Sequence, residues 1–387
     1  MEALDIVTTV LSSIHKQKPV IALHEPCFNG NEWNYLKDCL DSGWVSSVGQ
    51  YVNRFEQALQ DYTGVKHAIA VVNGTAALHV CLELCGVQAH DEVLLPALTF
   101  VATANAVSYC GAIPHFVDID PLTLGVDAER LEAYLDEHTV LKNGKCFNKK
   151  TQRRIRVLVA VHTFGHPVDL EPLLAVCADY GITLVEDAAE SLGSFYKGQH
   201  TGNFGLINAL SFNGNKIITT GGGGAVLTNN HALAKNVRHI TTTAKLPHAW
   251  EFVHDQVAYN YRMPNINAAL GLSQLEQIDV FLERKRALAN TYLNNFKQAH
   301  GIHVFKEPVY ARSNYWLNVL TLDGANMEYR DSVLETCHDH GLQVRPVWRL
   351  MNKLPMYRQS PSMPLTVSEQ IEASAICLPS SATLCQR

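Results

Sequence analysis

No two of the ten cysteines (27, 39, 81, 85, 110, 146, 177, 337, 377 and 385) have the Cys-x-x-Cys spacing of a zinc or redox site, and several lie inside apolar runs. Their scatter predicts free buried thiols in a reducing cytoplasm, with no metal site, rather than a disulfide framework. Basic runs are missing too. Lys and Arg number 31 against 37 for Asp and Glu, a formal charge of -6, so a surface that tracks nucleic-acid phosphates is not expected. No stretch approaches the roughly 20 apolar residues of a membrane span. Charged residues make up only 18% and apolar residues 47%, the balance of a globular chain rather than a disordered or collagen-like one. The 387 residues allow two or three folding units at about 150 residues each. At the start of the chain Glu2 and Asp5 stand where a signal peptide would carry positive charge, which points to a cytoplasmic protein. Leu4, Val7, Leu11 and Ile14 recur at helical spacing. They predict a short amphipathic helix within residues 1–18, docked on the body or on a partner subunit.

From residue 67 onward, apolar runs alternate with helical stretches: HAIAVV, a helix over GTAALHVCLELCG, DEVLLP, and a helix over TFVATANAVSYCG. IPHFVDID, a helix near residues 127 to 137, RVLVAVH, a helix over DLEPLLAVCADYG and TLVEDAA continue the rhythm. Near-continuous apolar strands separated by helices predict a mainly parallel α/β sheet covered on both faces. Such sheets bind ligands at the carboxyl ends of their strands. Residues 203 to 230 break the pattern, with ALSFNGNKIITT leading into four consecutive glycines. Either the backbone there passes close to something, or the glycines form a hairpin turn. A long helical pattern covers about 265 to 298, and beyond it YWLNVLTL and LQVRPV read as strands flanking a helix near 327 to 341.

Three places invite chemistry. Lys216 follows an apolar strand in a glycine-rich turn, where a desolvated lysine can act as a Schiff-base nucleophile. Taken alone, a solvated surface lysine accounts for it better. Asn215 and Ile217 stand where a phosphate loop needs Gly and Ser or Thr, so the nucleotide-hydrolase pattern fails. Asp187 ends the TLVED strand, where a carboxylate could face a pyridine nitrogen or simply cap a helix. Asn73, Gly74 and Thr75 open a helix after AIAVV, a place for a phosphate or for N-capping by Asn73.

The co-occurrence of these features lies in a set of longer motifs: NGTAALH (73 to 79), LPALTFVATANAV (95 to 107), VHTFGHPVDL (161 to 170), VEDAAESLGS (185 to 194), SFNGNKIITTGGGG (211 to 224) and YNYRMPNINAALGLSQLE (259 to 276). In this order they resemble the DegT/DnrJ/EryC1/StrS sugar aminotransferases, from about residue 20 to the end. The resemblance implies the fold type I architecture of pyridoxal phosphate (PLP) enzymes, a large domain with a mostly parallel seven-stranded sheet and a smaller C-terminal α+β domain. On this basis residues 1–18 form the N-terminal helix, 19–280 the PLP-binding domain and 281–387 the small domain. Lys216 would bond to PLP and shuttle the proton, and Asp187 would pair with its ring nitrogen. Gly74, Thr75 and Ser211 would hold the phosphate, Phe100 would stack on the ring or else pack in the core, His162 would lie close by, either touching the cofactor or supporting the site from behind, and Asn260 would reach the phosphate of the neighbouring subunit in a homodimer with composite sites. Glu190 stands where many members have Gln or His, and near the start of the next helix it should face the cofactor with a raised pKa.

The form SFNGNKIITTGGGG is similar to the branch acting on carbon 4 of UDP-linked 4-keto-6-deoxy sugars. Within it the bacillosamine-pathway and the LegC-like legionaminic-acid-pathway aminotransferases are the nearest likenesses, the N-terminal helix and Arg345-Pro346-Val347-Trp348 favouring the second. The implied substrates are a nucleotide sugar and glutamate. Arg262, Lys245 and Arg238 are the cations considered for the nucleotide. A PLP-dependent sugar dehydratase and a non-enzymatic PLP- or sugar-nucleotide-binding regulator are the alternatives, both disfavoured by the retained Lys216.

Overall fold

The computed structural model describes residues 2–15, 18–324 and 326–385. The helices that shape the site are α1 (Ala3–Ser13), α2 (Gly74–Leu84), α3 (Val101–Tyr109), α4 (Asn265–Leu275), α5 (Ile278–Asn295) and α6 (Met327–Asp339). The central sheet is built on β1 (His67–Val71), β2 (Glu92–Pro96), β3 (Ile113–Val117), β4 (Arg154–Val161), β5 (Thr183–Asp187), β6 (Asn208–Ser211) and β7 (Gly224–Thr228). Their spatial order is β1-β7-β6-β5-β4-β2-β3. Neighbours from β6 to β3 run parallel, while β7 is antiparallel to both β1 and β6. The apolar runs mark these strands because both faces are covered. Val157 to Ala160 of β4, for example, are fully buried.

A hairpin of Thr139–Lys142 and Lys145–Asn148 pairs along β4 and widens this sheet to nine strands. Its signal stood in the sequence: Asn143 and Gly144 both take positive φ, 52° and 68°, as an Asn-Gly hairpin turn requires.

The C-terminal part forms an antiparallel sheet of β8 (Ile302–Val304), β9 (Asn318–Leu322), β10 (Arg345–Pro346) and β11 (Ala375–Leu378) in the order β8-β9-β11-β10. A second apolar core lies here, and α1 belongs to it. Ile6, Val7, Val10 and Ile14 pack with Leu288 and Tyr292 of α5 and Val333 of α6. The expected stripe is thus rotated, because Leu4 is 53% exposed and Ile6 and Val10 occupy the inward face. Of the expected N-terminal segment, residues 1, 16 and 17 lie outside the described residues. The single helix expected over 265 to 298 is two. Gln274, Glu276 and Gln277 at the break bond to the chain around residues 27 to 35: Gln274 Nε2 donates to Cys27 O and Glu32, Gln277 Nε2 to Glu32, and Tyr35 Oη to Glu276. The expected boundary at 280/281 falls inside α5, whose Ile278, Phe281 and Leu282 belong to the large core and whose Leu288 and Tyr292 belong to the second.

Residues 212–223 connect β6 to β7, so the glycines do form part of a hairpin connection. They also meet a close approach. Gly221 has φ +78°, and a Cβ on Gly224 would lie 2.6 Å from the Asn73 carbonyl carbon and 2.7 Å from the Gly74 nitrogen. Since the clash is with backbone, Gly224→Ala should destabilise the protein by about 1–3 kcal/mol and displace the β1–α2 turn. Thermal melting and PLP titration check this; unchanged melting and PLP affinity would show that the turn yields freely.

Candidate active site

The carboxyl ends of the strands converge on a cleft of about 380 Å³. It is lined by the turns after β1 and β2, by Asp187 at the end of β5, by Ser211 at the end of β6 and by the Lys216 turn, with Trp316 and Trp348 closing it from the C-terminal part. Gly74, Thr75, Phe100, Asp187, Glu190, Ser211 and Lys216 all face this one cleft. Residues separated by more than a hundred positions meet because parallel strands end on the same edge.

Asp187 is 5% exposed. Its Oδ2 accepts from Thr103 Oγ1 at 2.8 Å, and its Oδ1 from the Ala189 amide at 3.2 Å. Thr103 is held in turn by Thr99, Oγ1 to Oγ1 at 2.9 Å. Burial pushes the Asp187 carboxyl above the usual aspartate range, outweighing these donors and the nearby Lys216 charge. A carboxylate so placed favours a cation brought into the cleft. The helix-cap alternative does not apply, since no helix follows β5 and residues 188–194 form turns. Glu190 therefore sits on a turn rather than at a helix start.

Lys216 Nζ lies 3.1 Å from Glu190 Oε1 and 3.9 Å from the centre of the Trp316 ring, a desolvated cation–π contact worth on the order of 1–2 kcal/mol. Its side chain is 13% exposed, which rules out the solvated surface lysine. Glu190 Oε2 accepts from the Phe164 amide at 2.8 Å. Burial raises the Glu190 carboxyl, against the pull of Lys216 and that amide. Trp316 is itself fixed. Its Nε1 donates to Asn215 O at 2.7 Å and its amide to Asn314 Oδ1 at 2.7 Å, while its carbonyl accepts from buried Lys285 at 3.1 Å. Burial lowers Lys285 to about 7.

The β1–α2 turn offers an anion site. Asn73 Oδ1 caps the helix by accepting from the Ala76 amide at 2.7 Å, and the amides of Gly74 and Thr75, in the first turn, have no helical acceptor ahead of them. A Cβ on Gly74 would stand 2.8 Å from Ser211 Cβ and 3.1 Å from its hydroxyl, so the missing side chain brings turn and hydroxyl together. Phe100 is 52% exposed, a ring left free at the cleft rather than packed in the core. These residues fit PLP: amides and a hydroxyl for its phosphate, an exposed ring face, a buried carboxylate without a cation, and a lysine within the same space.

His162 does not line the cleft. It is fully buried, with Nε2 2.9 Å from Glu186 Oε2 and Nδ1 accepting from the Val168 amide at 3.2 Å. Both ring nitrogens are thus engaged within the protein, leaving no polar atom for a cofactor. Asn260 is exposed, bridged to Thr242 and outside this cleft. Arg262 and Arg238 both pair with buried Glu56, at 2.8 and 2.7 Å, and Lys245 Nζ stands 3.7 Å from the centre of the Phe252 ring; none of the three lines this cleft. Sequence reasoning missed Thr99, Thr103 and Trp316. The two threonines stood at i, i+4 in the LPALTFVATANAV stretch; Trp316 carried no signal, because its place depends on how the C-terminal part folds back.

The sequence model of the DegT/DnrJ/EryC1/StrS aminotransferase family matches residues 26–387. Over 368 residues the chain is 37% identical to the GDP-perosamine synthase of Caulobacter vibrioides, covering 95% of this chain and 94% of that protein. It is 32% identical over 298 residues to the spore coat polysaccharide biosynthesis protein SpsC of Bacillus subtilis, covering 75% and 72%. Its structure resembles that of Helicobacter pylori PseC, an aminotransferase involved in pseudoaminic acid biosynthesis, with TM-score 0.85, 26% identity and 94% of each chain covered.

Glu190→Gln keeps the shape but removes a buried negative charge from the cleft, which makes a proton on a bound cofactor easier to lose. The spectral transition of the PLP-loaded protein between pH 5 and 9 should move to lower pH. Superimposable titrations of parent and variant would place Glu190 out of contact with the cofactor.

Proposed function

We propose, from the premise that this chain belongs to the DegT/DnrJ/EryC1/StrS aminotransferase family, that it moves an amino group from glutamate to carbon 4 of a nucleotide-linked 4-keto-6-deoxy hexose for bacterial surface-glycan amino sugars. As a member of that family it is a PLP-dependent aminotransferase. The observation that carries the reading is the meeting of Lys216 and Asp187 in one cleft beside the Gly74–Ser211 contact. PLP bound there would supply the electron sink that amino-group transfer needs. Lys216 Nζ takes and returns the proton of the reacting carbon, a general acid/base contribution of about 10²–10⁴-fold. Glu190, 3.1 Å from that amine, would position it while it is released from PLP. Asp187 would keep a proton on the ring nitrogen, and the Gly74 and Thr75 amides with Ser211 would anchor the phosphate. The two indoles of Trp316 and Trp348 narrow the cleft around the amine.

The sequence reads as a UDP-sugar enzyme of the bacillosamine or legionaminic acid type. Relatives named GDP-perosamine synthase, in Caulobacter vibrioides and Vibrio cholerae, bring GDP into the same frame. Incubation with glutamate and 4-keto-6-deoxy hexoses carried on UDP, GDP and dTDP, read by mass and NMR, decides among them. Conversion of none would refute the reading. The enzyme works in the cytoplasm, where its ten cysteine thiols stay reduced.

Two subunits complete each site in this proposal, Asn260 reaching the phosphate bound by the other chain. The exposed position of Asn260 supports this.

Lys216→Ala should abolish turnover and the visible absorbance of lysine-bound PLP while leaving melting within a few degrees of the parent, because the side chain contributes little core area. A yellow, active variant would overturn its role. Sedimentation at dilute concentration should give a dimer, stabilised further by PLP through linkage; a fully active monomer would remove the composite site.

A further inference from the structure

Behind the Trp316–Trp348 wall lies a second cavity, of about 530 Å³. It shares Asn215, Trp316 and Trp348 with the Lys216 cleft, and its other walls come from residues 22–24, Phe164 and the β10 region. The Trp348 ring stands between the two spaces, 4.7 Å from Phe164 and 6.1 Å from Phe100. Among the described residues its lining holds two arginines, Arg345 and Arg349, and no Asp or Glu. That is notable in a chain of net charge -6. Arg349 makes no ion pair or hydrogen bond among the described residues. Arg345 uses only Nη1, donating to Val344 O at 3.0 Å and facing His338 at 3.1 Å. His24, also in the lining, has a buried Nδ1 with no hydrogen-bond partner. The nearby carboxylate, Glu190, lies in the Lys216 cleft and is already paired with that lysine.

One guanidinium with no ion pair or hydrogen bond, a second with its Nε and Nη2 uncommitted, and an unsatisfied ring nitrogen, in a cavity that shares Asn215, Trp316 and Trp348 with the Lys216 cleft, are complementary to an anion with two or three acceptor oxygens. We propose that this cavity is an annex of the active site that takes a carboxylate of the amino donor, Arg349 and Arg345 supplying the charge and His24 a hydrogen bond. The inference rests on the aminotransferase reading and deepens it. A carboxylate suits the planar, bidentate geometry of arginine, and a dicarboxylic amino acid with its amine in the Lys216 cleft would place one carboxylate past Trp348, which lines both spaces. The diphosphate of a nucleotide sugar is the competing anion.

The test uses the PLP-loaded parent, Arg349→Ala, Arg349→Lys and the double variant Arg345→Ala/Arg349→Ala. Glutarate, an unreactive five-carbon dicarboxylate, is titrated by calorimetry, and the glutamate half-reaction is followed by the loss of PLP absorbance as a function of glutamate concentration. We expect glutarate and glutamate affinities to fall at least tenfold in Arg349→Ala and further in the double variant. Arg349→Lys should retain part of the affinity, and the half-reaction rate at saturating glutamate should change far less than the affinity. Both arginines are exposed, so melting should be unaffected. Unaltered glutarate and glutamate affinity in the double variant would overturn the annex, and so would a loss confined to UDP or GDP binding, titrated alongside. A parent enzyme unreactive toward glutamate and every other amino donor would instead overturn the aminotransferase reading, and this inference with it.

Discussion

A buried carboxylate with no cation of its own governs the cleft. Asp187 sits at the end of a central strand, almost inaccessible to water, and the Thr103 hydroxyl and Ala189 amide that it accepts from do not offset its desolvation, so its pKa stays raised. Such a group weakens the folded state at neutral pH. It becomes favourable once a protonated heterocycle lies against it. The Thr99–Thr103 relay on the start of α3 orients the carboxylate for that encounter, and the parallel sheet sets it at the same edge as the phosphate-binding turn. The constraint also explains why Asp187 stands on a strand end followed by turns rather than by a helix. A helix N-terminus there would supply amides to the carboxylate and satisfy it without a ligand.

The second half of the site is a lysine held ready. Lys216 lies on a connection whose course is fixed by close backbone approach, with Gly224 against Asn73 and Gly74. Its amine is clasped by Glu190 on one side and the Trp316 ring on the other. The Trp316 backbone is in turn tied to Lys285 and Asn314, so the C-terminal part of the molecule, not the sheet alone, decides where the amine rests. That makes the relation between the two cores a functional matter, since α5 contributes to both and carries Lys285.

Much of this arrangement is legible in the amino-acid sequence. The alternation of apolar strands and helices specifies the parallel sheet, because strands buried on both faces must be apolar throughout. Strand-end positions then point to Lys216, Asp187, Gly74 and Ser211. Contacts made by chain folding back from far away leave no such mark. Trp316 above Lys216 and the engagement of Arg238 and Arg262 with Glu56 are of this kind. His162 follows β4 as expected and stays beside Asp187, its amide donating to the Asp187 carbonyl at 3.2 Å. Its ring turns inward to Glu186 and Val168, which fits support of the site from behind rather than direct contact with the cofactor. At α1 the period is legible but the phase is not: Leu4 and Ile6 fit the same helical spacing equally well, and only the positions of α5 and α6 select Ile6.

The most direct measurement of the central claim is the ¹⁵N NMR shift of PLP labelled at its ring nitrogen, bound to the parent protein and to Asp187→Asn. The account predicts a protonated ring nitrogen in the parent at neutral pH, and an unprotonated one in the variant, whose neutral amide cannot hold the proton. An unprotonated ring nitrogen in the parent, or the same shift in both proteins, would contradict it.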